Sequence, residues 1–316
     1  MEVHYGLERI HIVNPVVTMG SFDGVHKGHR QVIEGLKQCA ERLSGETVII
    51  TFDPHPREVL YPLEKRPGIL TTLEEKIQIL SAYGIRHLVV LKFTEELAGH
   101  TYTDFVKHIL VDKIGIKGLV VGYDHRFGKD RKGNFDALQE LAEKYHFYIE
   151  QEEVYASGQV NISSTKIRTA LELGDIGKVK AFLGYDYAIS GTVVHGDKIG
   201  KKMLGFPTAN MKMDDERKLL PAAGAYVVSV IGKEKMYYGM LNIGVRPTVS
   251  QSGIIRLEVH IFDFDGDIYG EKIKVQLLYR IRGEHKFDTV EELRLQLQND
   301  KIKAQQFLKN HITDKE

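Results

Sequence analysis

Short β-branched runs alternate with amphipathic stretches of helical period over the first half of the chain. Buried strands are predicted at "PVVTMG", "ETVIITF", "RHLVVLKF" and "KGLVVGY". Helices are predicted between them at "RQVIEGLKQCAERL", "LEEKIQILSAYG" and "TDFVKHILVDKIG", the last two stopping at Gly84 and Gly115. This alternation implies right-handed βαβ crossovers, so we expect a doubly wound α/β domain with a parallel sheet covered on both faces.

The pattern changes after Gly184. Strand-like runs follow one another without helices at "DYAISGTVVHG", "AYVVSVIG", "MYYGMLNIG", "IRLEVHIFDF" and "KIKVQLLYRIR", which indicates a compact antiparallel β-barrel or sandwich. An amphipathic helix closes the chain, and its apolar residues are predicted to cover one side of that barrel: Val290, Leu293, Leu297, Ile302 and Phe307. We therefore expect two domains, 1–184 and 185–316.

Composition narrows the functional classes. The 316 residues are 42% hydrophobic and 27% charged, with 43 basic and 43 acidic side chains. This balance gives no basic excess for long nucleic acid, and no apolar run approaches the roughly 18 residues of a membrane span. The chain carries one cysteine, Cys39, and its N-terminus lacks the features of a signal peptide. We expect a cytosolic protein that binds neither nucleic acid nor membrane.

Two histidines follow the first predicted strand in "GSFDGVHKGH". Gly20 and Gly24 allow a tight turn, and His26 and His29 lie side by side at the start of a helix. Two imidazoles beside a helix N-terminus suit hydrogen bonding to phosphate oxygens as negative charge develops. Paired histidines at such a position are more often simple caps, so the hypothesis depends on its surroundings.

Three further polar segments follow strands that should end at the same edge of the sheet. "TFDPHP" supplies Asp53, Pro54, His55 and Pro56, and "GYDHRFGKDRKG" supplies Asp124, Phe127 and Gly128. "NISSTKIR" opens a helix, with Ser163, Ser164 and Thr165 as caps and Lys166 and Arg168 in the first turn. Singly these are a rigid turn, a solvated loop and a helix cap. Together they are what a triphosphate site would collect.

The order of these segments resembles the HxGH nucleotidyltransferases, and within them the bifunctional bacterial riboflavin kinase/FAD synthetases. The second half adds "GFPTAN", "NIGVRPT", "LEVHIFDFDGDIYG" and "IRGEHKF", in the order of the kinase pattern. The resemblance covers almost the whole chain. It implies a Rossmann-like adenylyltransferase domain followed by a riboflavin kinase barrel, with riboflavin, FMN, FAD, ATP, ADP and pyrophosphate as ligands and Mg²⁺ at both sites.

For the adenylyltransferase, the resemblance implies that FMN phosphate attacks the α-phosphorus of ATP with His26 and His29 at the reacting phosphate. The nucleophile is already anionic, so positioning and charge stabilisation suffice. The implied ATP-binding residues are Gly20, Phe22, Asp23, Gly24, His26, His29, Ser164, Thr165, Lys166 and Arg168. The implied flavin and nucleotide loops carry Asp53, Pro54, His55, Pro56, Asp124, Phe127 and Gly128. Lys166 stands where the family often has arginine, which keeps the charge and loses bidentate geometry.

For the kinase, the resemblance places Glu258 as the base that accepts the proton of the riboflavin 5'-hydroxyl. Strand alternation puts Glu258 and His260 on one face and the neighbouring apolar residues on the other. Thr208 and Asn210 are the implied Mg²⁺ and phosphate ligands. A flap over the ATP phosphates is implied at Gly196, Gly200 and Gly205, with charge from Lys201 or Lys202, where the family often has arginine. Pro207 belongs to the implied ATP-binding motif that follows the flap.

Three alternatives stay open. Another HxGH transferase would not explain a barrel bearing "GFPTAN". A flavin- or nucleotide-binding regulator could keep the fold with one or both activities lost, although the implied catalytic residues are intact. RNA binding through the lysines of the last helix is disfavoured by the acidic residues in that helix and by the neutral net charge.

Overall fold

The computed structural model describes residues 1–8, 10–123, 127–129, 132–153, 156–157, 160–195, 206–233, 235–246 and 254–313. Contacts divide the chain into one unit of residues 1–164 and another of residues 165–316. Within the described residues, no helix is both long enough and apolar enough to cross a membrane.

The first unit contains a six-stranded parallel sheet, which confirms the predicted doubly wound architecture. Its strands are β1 Glu2–Tyr5, β2 Val16–Met19, β3 Thr47–Asp53, β4 His87–Lys92, β5 Gly118–Gly122 and β6 Tyr148–Glu152, arranged β1-β4-β3-β2-β5-β6. The four strands predicted from apolar runs are β2 to β5, at the centre of the sheet. The edge strands β1 and β6 were not predicted.

Helices cover both faces of this sheet. They are α1 Lys27–Arg42, α2 Pro56–Leu60, a 3₁₀ turn Leu63–Lys65, α3 Leu73–Ala82, α4 Glu95–Gly99, α5 Tyr102–Asp104, a π-helical segment Phe105–Ile114 and α6 Phe135–Tyr145. Side chains alternate along each central strand, so Val16, Ile49 and Val120 pack under α1 and α3. Val17 and Ile50 face the π-helical segment and α6. The predicted stops at Gly84 and Gly115 are confirmed, and both glycines have positive φ.

A short hairpin, β7 Ala156–Ser157 and β8 Val160–Asn161, leads to α7 Ser164–Leu173 and α8 Ile176–Leu183. Most of α7 and all of α8 belong to the second unit. Within this unit, α7 is hydrogen-bonded to the barrel by the Arg280 guanidinium (Nη1), which donates to the Leu173 carbonyl at 2.9 Å, and by the Ala222 amide, which donates to the Leu171 carbonyl at 2.9 Å.

The second unit is a closed antiparallel barrel, as predicted. Its strands are β9 Ala188–Val194, β10 Ala209–Met213, β11 Gly224–Ile231, β12 Met236–Arg246, β13 Ile254–Ile261 and β14 Lys272–Gly283, in the order β10-β13-β12-β11-β14-β9, with β9 pairing β10. The interior is apolar: on β13, Leu257 and Val259 are 4% and 0% exposed. The outward residues of the same strand are then available for chemistry.

The final helix, α9 Val290–Thr313, packs on the barrel through Ala304 and Leu308. The prediction that Val290 and Ile302 cover the barrel is wrong, because these side chains are 49% and 53% exposed. The buried face instead passes through Asp300, which is 1% exposed. Its carboxylate accepts from Arg282 Nε at 2.8 Å and Gln296 Nε2 at 2.7 Å, so a buried ion pair anchors the middle of the helix.

Candidate active sites

The turn after β2 has a strained backbone. Phe22, Gly24 and Val25 all have positive φ, at 45°, 85° and 34°. Only glycine adopts such values readily. The two non-glycine residues are held by burial, since Phe22 is 3% exposed and Val25 is 0% exposed in the cluster beneath α1. The turn is therefore fixed before any ligand binds.

Asp23 ties this turn to the segment before α3. Its Oδ1 accepts hydrogen bonds from the backbone amides of Leu70 at 2.8 Å and Thr71 at 3.1 Å. In return, Thr71 Oγ1 accepts from the Gly24 amide at 3.0 Å. Asp23 is 1% exposed, so its carboxylate orders the turn.

A buried lysine lies beneath the turn. Lys76, on α3, is 5% exposed and donates from Nζ to the Ser21 carbonyl at 2.7 Å and to Thr51 Oγ1 at 3.0 Å. A buried ammonium is costly unless it is hydrogen-bonded in this way. Local sequence pattern does not reveal this residue, because a lysine in an amphipathic helix normally faces solvent.

The paired histidines cap α1 reciprocally. The backbone amide of His29 donates to Nδ1 of His26 at 3.3 Å, and the amide of His26 donates to Nδ1 of His29 at 3.2 Å. The two rings stack with centroids 3.7 Å apart. A nitrogen that accepts an N–H bond carries no proton, so each neutral ring holds its proton on Nε2. The caps thus convert both imidazoles into Nε2–H donors.

The surroundings of His29 keep it uncharged. Burial lowers its pKa well below the usual 6.5, and the neighbouring His26 and Lys76 lower this pKa further. At neutral pH, His29 therefore offers a hydrogen bond without a positive charge. Capping and hydrogen-bond donation to a ligand are compatible, because they use different ring nitrogens.

Gly28, between the two histidines, explains the glycine of the HxGH motif. A Cβ at this position would lie 3.2 Å from both Cε1 and Nδ1 of His26. Such a contact is tighter than van der Waals packing favours, so a side chain here would displace the His26 ring. Glycine leaves the stacked rings in place, whereas a Cβ would require the His26 ring to shift by a few tenths of an ångström.

A pocket opens beside this turn at the carboxyl end of β3. It is lined by Asp23, Phe52, Asp53, His55, Glu58, Ile69, Thr71, Leu73 and Lys76. The Asp53–Pro54 peptide bond is cis, and Pro56 is the first residue of α2. His55 caps α2, its Nδ1 accepting from the Arg57 amide at 3.1 Å. The structure thus brings Asp53 and His55 to the wall that Asp23 also lines.

The "SSTKIR" segment begins beside the same turn. Ser164, the first residue of α7, donates from Oγ to the Asp23 carbonyl at 2.9 Å. Thr165, Lys166 and Arg168 follow in the first turns of that helix, and Arg168 is 6% exposed. The predicted position of Ser164 near the HxGH turn is therefore observed.

Phe127 and Gly128 contact the helical segment that follows β4. The Phe127 ring meets Phe105 edge-on, with centroids 5.5 Å apart. Gly128 has φ +73° and packs so closely on Tyr102 that a Cβ would lie 2.5 Å from its backbone nitrogen. These contacts anchor the end of the predicted loop. Asp124 lies outside the described residues.

On the barrel, strand register brings the kinase candidates together. Glu258 on β13 pairs with Asn210 on β10, and on its other side with Asn242 on β12. Directly opposed residues of antiparallel strands have Cβ atoms about 4.5–5.5 Å apart on the same face. Glu258 is half-buried between two amide side chains. Asn242 was not among the predicted residues, although it too lies in a strand with outward alternation.

His260 fixes the segment that precedes Asn210. Its Nδ1 lies 2.7 Å from the Pro207 carbonyl oxygen, so Nδ1 must carry the proton and donate. Burial lowers the pKa of His260, and the positive charge of Lys301 lowers it further, whereas the hydrogen bond to the Pro207 carbonyl raises it. Thr208 follows directly and is half-buried. The predicted flap residues Gly196, Gly200, Lys201, Lys202 and Gly205 lie outside the described residues.

Comparison with known proteins covers both halves of the chain. The FAD synthetase family model matches residues 10–166, and the riboflavin kinase model matches residues 183–308. The bifunctional riboflavin kinase/FMN adenylyltransferase of Escherichia coli K12 is 40% identical over 92% of both chains. The protein of the same name from Pseudomonas fluorescens is 36% identical over 90% of both.

A solved structure gives the same picture of the fold. A chain titled as a macrolide-efflux protein from Streptococcus pneumoniae superposes with a TM-score of 0.87 and 30% identity, covering 96% of this chain and 99% of that one. Its title names a different activity from that of the two family models. The sequence identity to these relatives extends over at least 90% of the chain, and the two family models match its two halves in the predicted order. These findings confirm the predicted resemblance, and the chain belongs to the family of bifunctional riboflavin kinase/FMN adenylyltransferases.

Proposed function

We propose that this protein phosphorylates riboflavin to FMN in the barrel and then adenylates FMN to FAD at the HxGH turn. One observation carries the proposal: each unit has its own set of converging polar residues, suited to a different phosphorus chemistry. The first unit presents neutral N–H donors on a fixed turn, whereas the second presents a carboxylate between two amides.

In the kinase reaction, the 5'-hydroxyl oxygen of riboflavin forms a bond to the γ-phosphorus of ATP, and the bond to the ADP oxygen breaks. The hydroxyl proton needs an acceptor, since an alcohol is a weak nucleophile near neutral pH. We assign that role to Glu258. Asn210 is its cross-strand neighbour and so lies within reach of the same phosphate.

The donor set near Glu258 fits magnesium. Thr208 and Asn210 offer neutral oxygen ligands, which this hard cation prefers and which leave its other positions for water and phosphate. When bound, Mg²⁺ would neutralise charge on the ATP phosphates. We assign His260 as a positioning residue, because its bond to the Pro207 carbonyl fixes the chain entering Thr208.

In the adenylyl transfer, an FMN phosphate oxygen attacks the α-phosphorus of ATP and pyrophosphate leaves. His26 and His29 donate from Nε2 to the α-phosphate oxygens as charge accumulates there. Ser164, Thr165, Lys166 and Arg168 bind the departing pyrophosphate, which suits the positive end of α7. Gly20, Phe22 and Gly24 shape the turn, and Asp23 and Lys76 hold it.

The remaining predicted residues belong to the flavin and nucleotide side of the first site. Asp53 and His55 line the pocket beside the HxGH turn, and Pro54 and Pro56 shape its wall. Phe127 and Gly128 pack on Phe105 and Tyr102, and we assign Asp124 to the same side of the site. We keep the functional division after residue 184 and a cytosolic location as parts of the proposal.

One assay tests both activities. The protein is incubated with riboflavin, ATP and Mg²⁺, and ADP, FMN, pyrophosphate and FAD are followed together; FMN supplied directly isolates the second step. Both product pairs are expected. His29→Ala should slow FAD formation by about 10²- to 10³-fold, as loss of one donor to a developing oxyanion does. The matched variant His108→Ala, an exposed histidine on the π-helical segment, should leave both rates unchanged.

The same assay decides against the alternatives. Flavin binding without either product pair would make the protein a regulator. Pyrophosphate release with a different phosphate acceptor, and none with FMN, would indicate another HxGH transferase. Equal FAD rates for His29→Ala and the parent protein would refute the assigned role of the histidines.

A further inference from the structure

The amino-terminal edge of the parallel sheet carries a second cluster of histidines. In the register of β1 and β4, Glu2 lies opposite His87. Glu2 and His4 share one face of β1, because side chains alternate along a strand. All three residues therefore lie on the same face, at the opposite ends of the strands from the HxGH turn. The proposed reactions use none of them.

The three side chains converge at distances that suit a small cation. His4 Nε2 lies 3.1 Å from His87 Nδ1. The Glu2 carboxylate lies 3.9 Å from His4 Nε2 through Oε1 and 3.7 Å from His87 Nδ1 through Oε2. Zinc–nitrogen bonds of about 2.0–2.1 Å at tetrahedral angles separate two donor atoms by about 3.3 Å. One ligand atom from each residue lies within 4.8 Å of the others, so small side-chain rotations close the site.

An outer carboxylate orients the more buried histidine. Glu46 Oε2 lies 3.3 Å from His87 Nε2 and also accepts the Val13 amide at 3.0 Å. Carboxylate oxygens accept hydrogen bonds, so in this contact His87 donates its Nε2 proton to Glu46. The lone pair of His87 is then on Nδ1, directed at the cluster. Histidine ligands of metals are held by an outer carboxylate in this manner.

We propose that Glu2, His4 and His87 bind a divalent transition-metal cation of the zinc class, with Glu46 as the outer carboxylate. Two imidazoles and one carboxylate favour such a cation over Mg²⁺ or Ca²⁺, which prefer oxygen ligands alone. Solvent fills the remaining position, since Glu2 is 66% exposed. His4 binds the cation through Nε2, the ring nitrogen that faces His87, so in the metal-bound form its ring proton is on Nδ1. The cation ties the edge strand β1 to β4.

The test uses full-length, tag-free protein treated with a chelator and then dialysed into excess Mg²⁺, which occupies sites that prefer oxygen ligands. Co²⁺ is titrated and its visible absorption recorded, and Zn²⁺ is then added to displace it. We expect intense bands of a low-coordinate nitrogen-ligated site, bleached by Zn²⁺. Hydrogen exchange of the β1 amides should slow when the metal is bound.

Variants assign the signal. His4→Gln and Glu2→Gln should each remove one equivalent of Co²⁺, and Glu46→Gln should weaken binding by about 10- to 100-fold. His108→Gln is the matched control, an exposed histidine 3.5 Å from Asp112 that should keep the full signal. The proposal is overturned if the parent protein gives no such bands, or if His4→Gln binds the same number of equivalents with the same affinity. All three edge variants should keep both flavin activities, which shows that they fold.

Discussion

Replacing Glu258 by glutamine tests the separation of the two proposed reactions. Glutamine keeps the size of the side chain and can hydrogen-bond to Asn210 and Asn242, which lie beside it on the two neighbouring strands. The residue is half-buried on the outer face of β13, so the change in the free energy of unfolding should stay within about 1 kcal/mol. What glutamine cannot do is accept the hydroxyl proton.

The expected loss of kinase rate follows from the missing proton acceptor. A positioned general base contributes about 10²- to 10⁴-fold to rate, equivalent to roughly 2.7–5.5 kcal/mol at about 1.36 kcal/mol per tenfold. We expect FMN formation from riboflavin to fall within that range. FAD formation from supplied FMN should keep the parental rate, because the proposed adenylyl transfer starts from an anionic nucleophile and uses no residue of the barrel strands.

The assay measures initial rates of ADP release with riboflavin and of pyrophosphate release with FMN, at saturating ATP and Mg²⁺. Glu216→Gln, an exposed glutamate in the segment after β10, is the matched control and should match the parent in both rates. FMN formation by Glu258→Gln at the parental rate would refute the assignment of the base. An equal fall in both rates would refute the independence of the two sites.

Three further changes probe the two units. Gly28→Ala should lower FAD formation and spare the kinase, because its Cβ would press on the His26 ring from 3.2 Å. Folding lowers the pKa of His29, so at pH values below the usual imidazole pKa of 6.5 the unfolded chain binds more protons than the folded chain. The urea midpoint of unfolding should therefore fall as the pH drops through this region. His29→Asn should make the midpoint less dependent on pH. Asp300→Ala should cost about 3–5 kcal/mol in urea unfolding by leaving Arg282 unpaired, and Asp300→Leu with Arg282→Met should recover most of it.

The central strands of each domain were predictable because buried strands are rich in apolar residues. Strands β2 to β5 are buried on both faces and appear as unbroken apolar runs. The edge strands β1 and β6 were missed, since a strand paired on one side only can be as polar as "EVHY" or "YIEQE". The π-helical winding of Phe105–Ile114 was not predictable either, because its apolar spacing resembles that of an ordinary helix.

The final helix shows where the pattern misleads. Apolar identity selected Val290 and Ile302, yet both are exposed. The true face includes Asp300, whose burial depends on Arg282, a residue on a barrel strand. A charged residue on a buried face can be predicted only when its partner is known, and no local spacing reveals a partner on another element.

Some residues of the candidate sites were likewise predictable from local sequence, and others were not. Motif spacing located His26, His29, Asn210 and Glu258, because their positions along the chain carry the resemblance. It did not locate Lys76 or Asn242, whose roles come from a long-range contact and a strand register, and it placed His260 beside Glu258 without revealing the bond from His260 to Pro207. It also left the charge state of the paired histidines open. Their reciprocal caps settle which nitrogen of each neutral ring holds the proton.

That proton position explains why we assign two histidines to the first site and a carboxylate to the second. An incoming FMN phosphate is already negative, so an acceptor at the HxGH turn would repel it, whereas two neutral Nε2–H groups attract the developing charge. Riboflavin arrives with a neutral hydroxyl, so donors alone would leave its proton in place, and a carboxylate is needed. The polar groups of each unit therefore complement the charge of its proposed nucleophile, and exchanging them would disable both reactions.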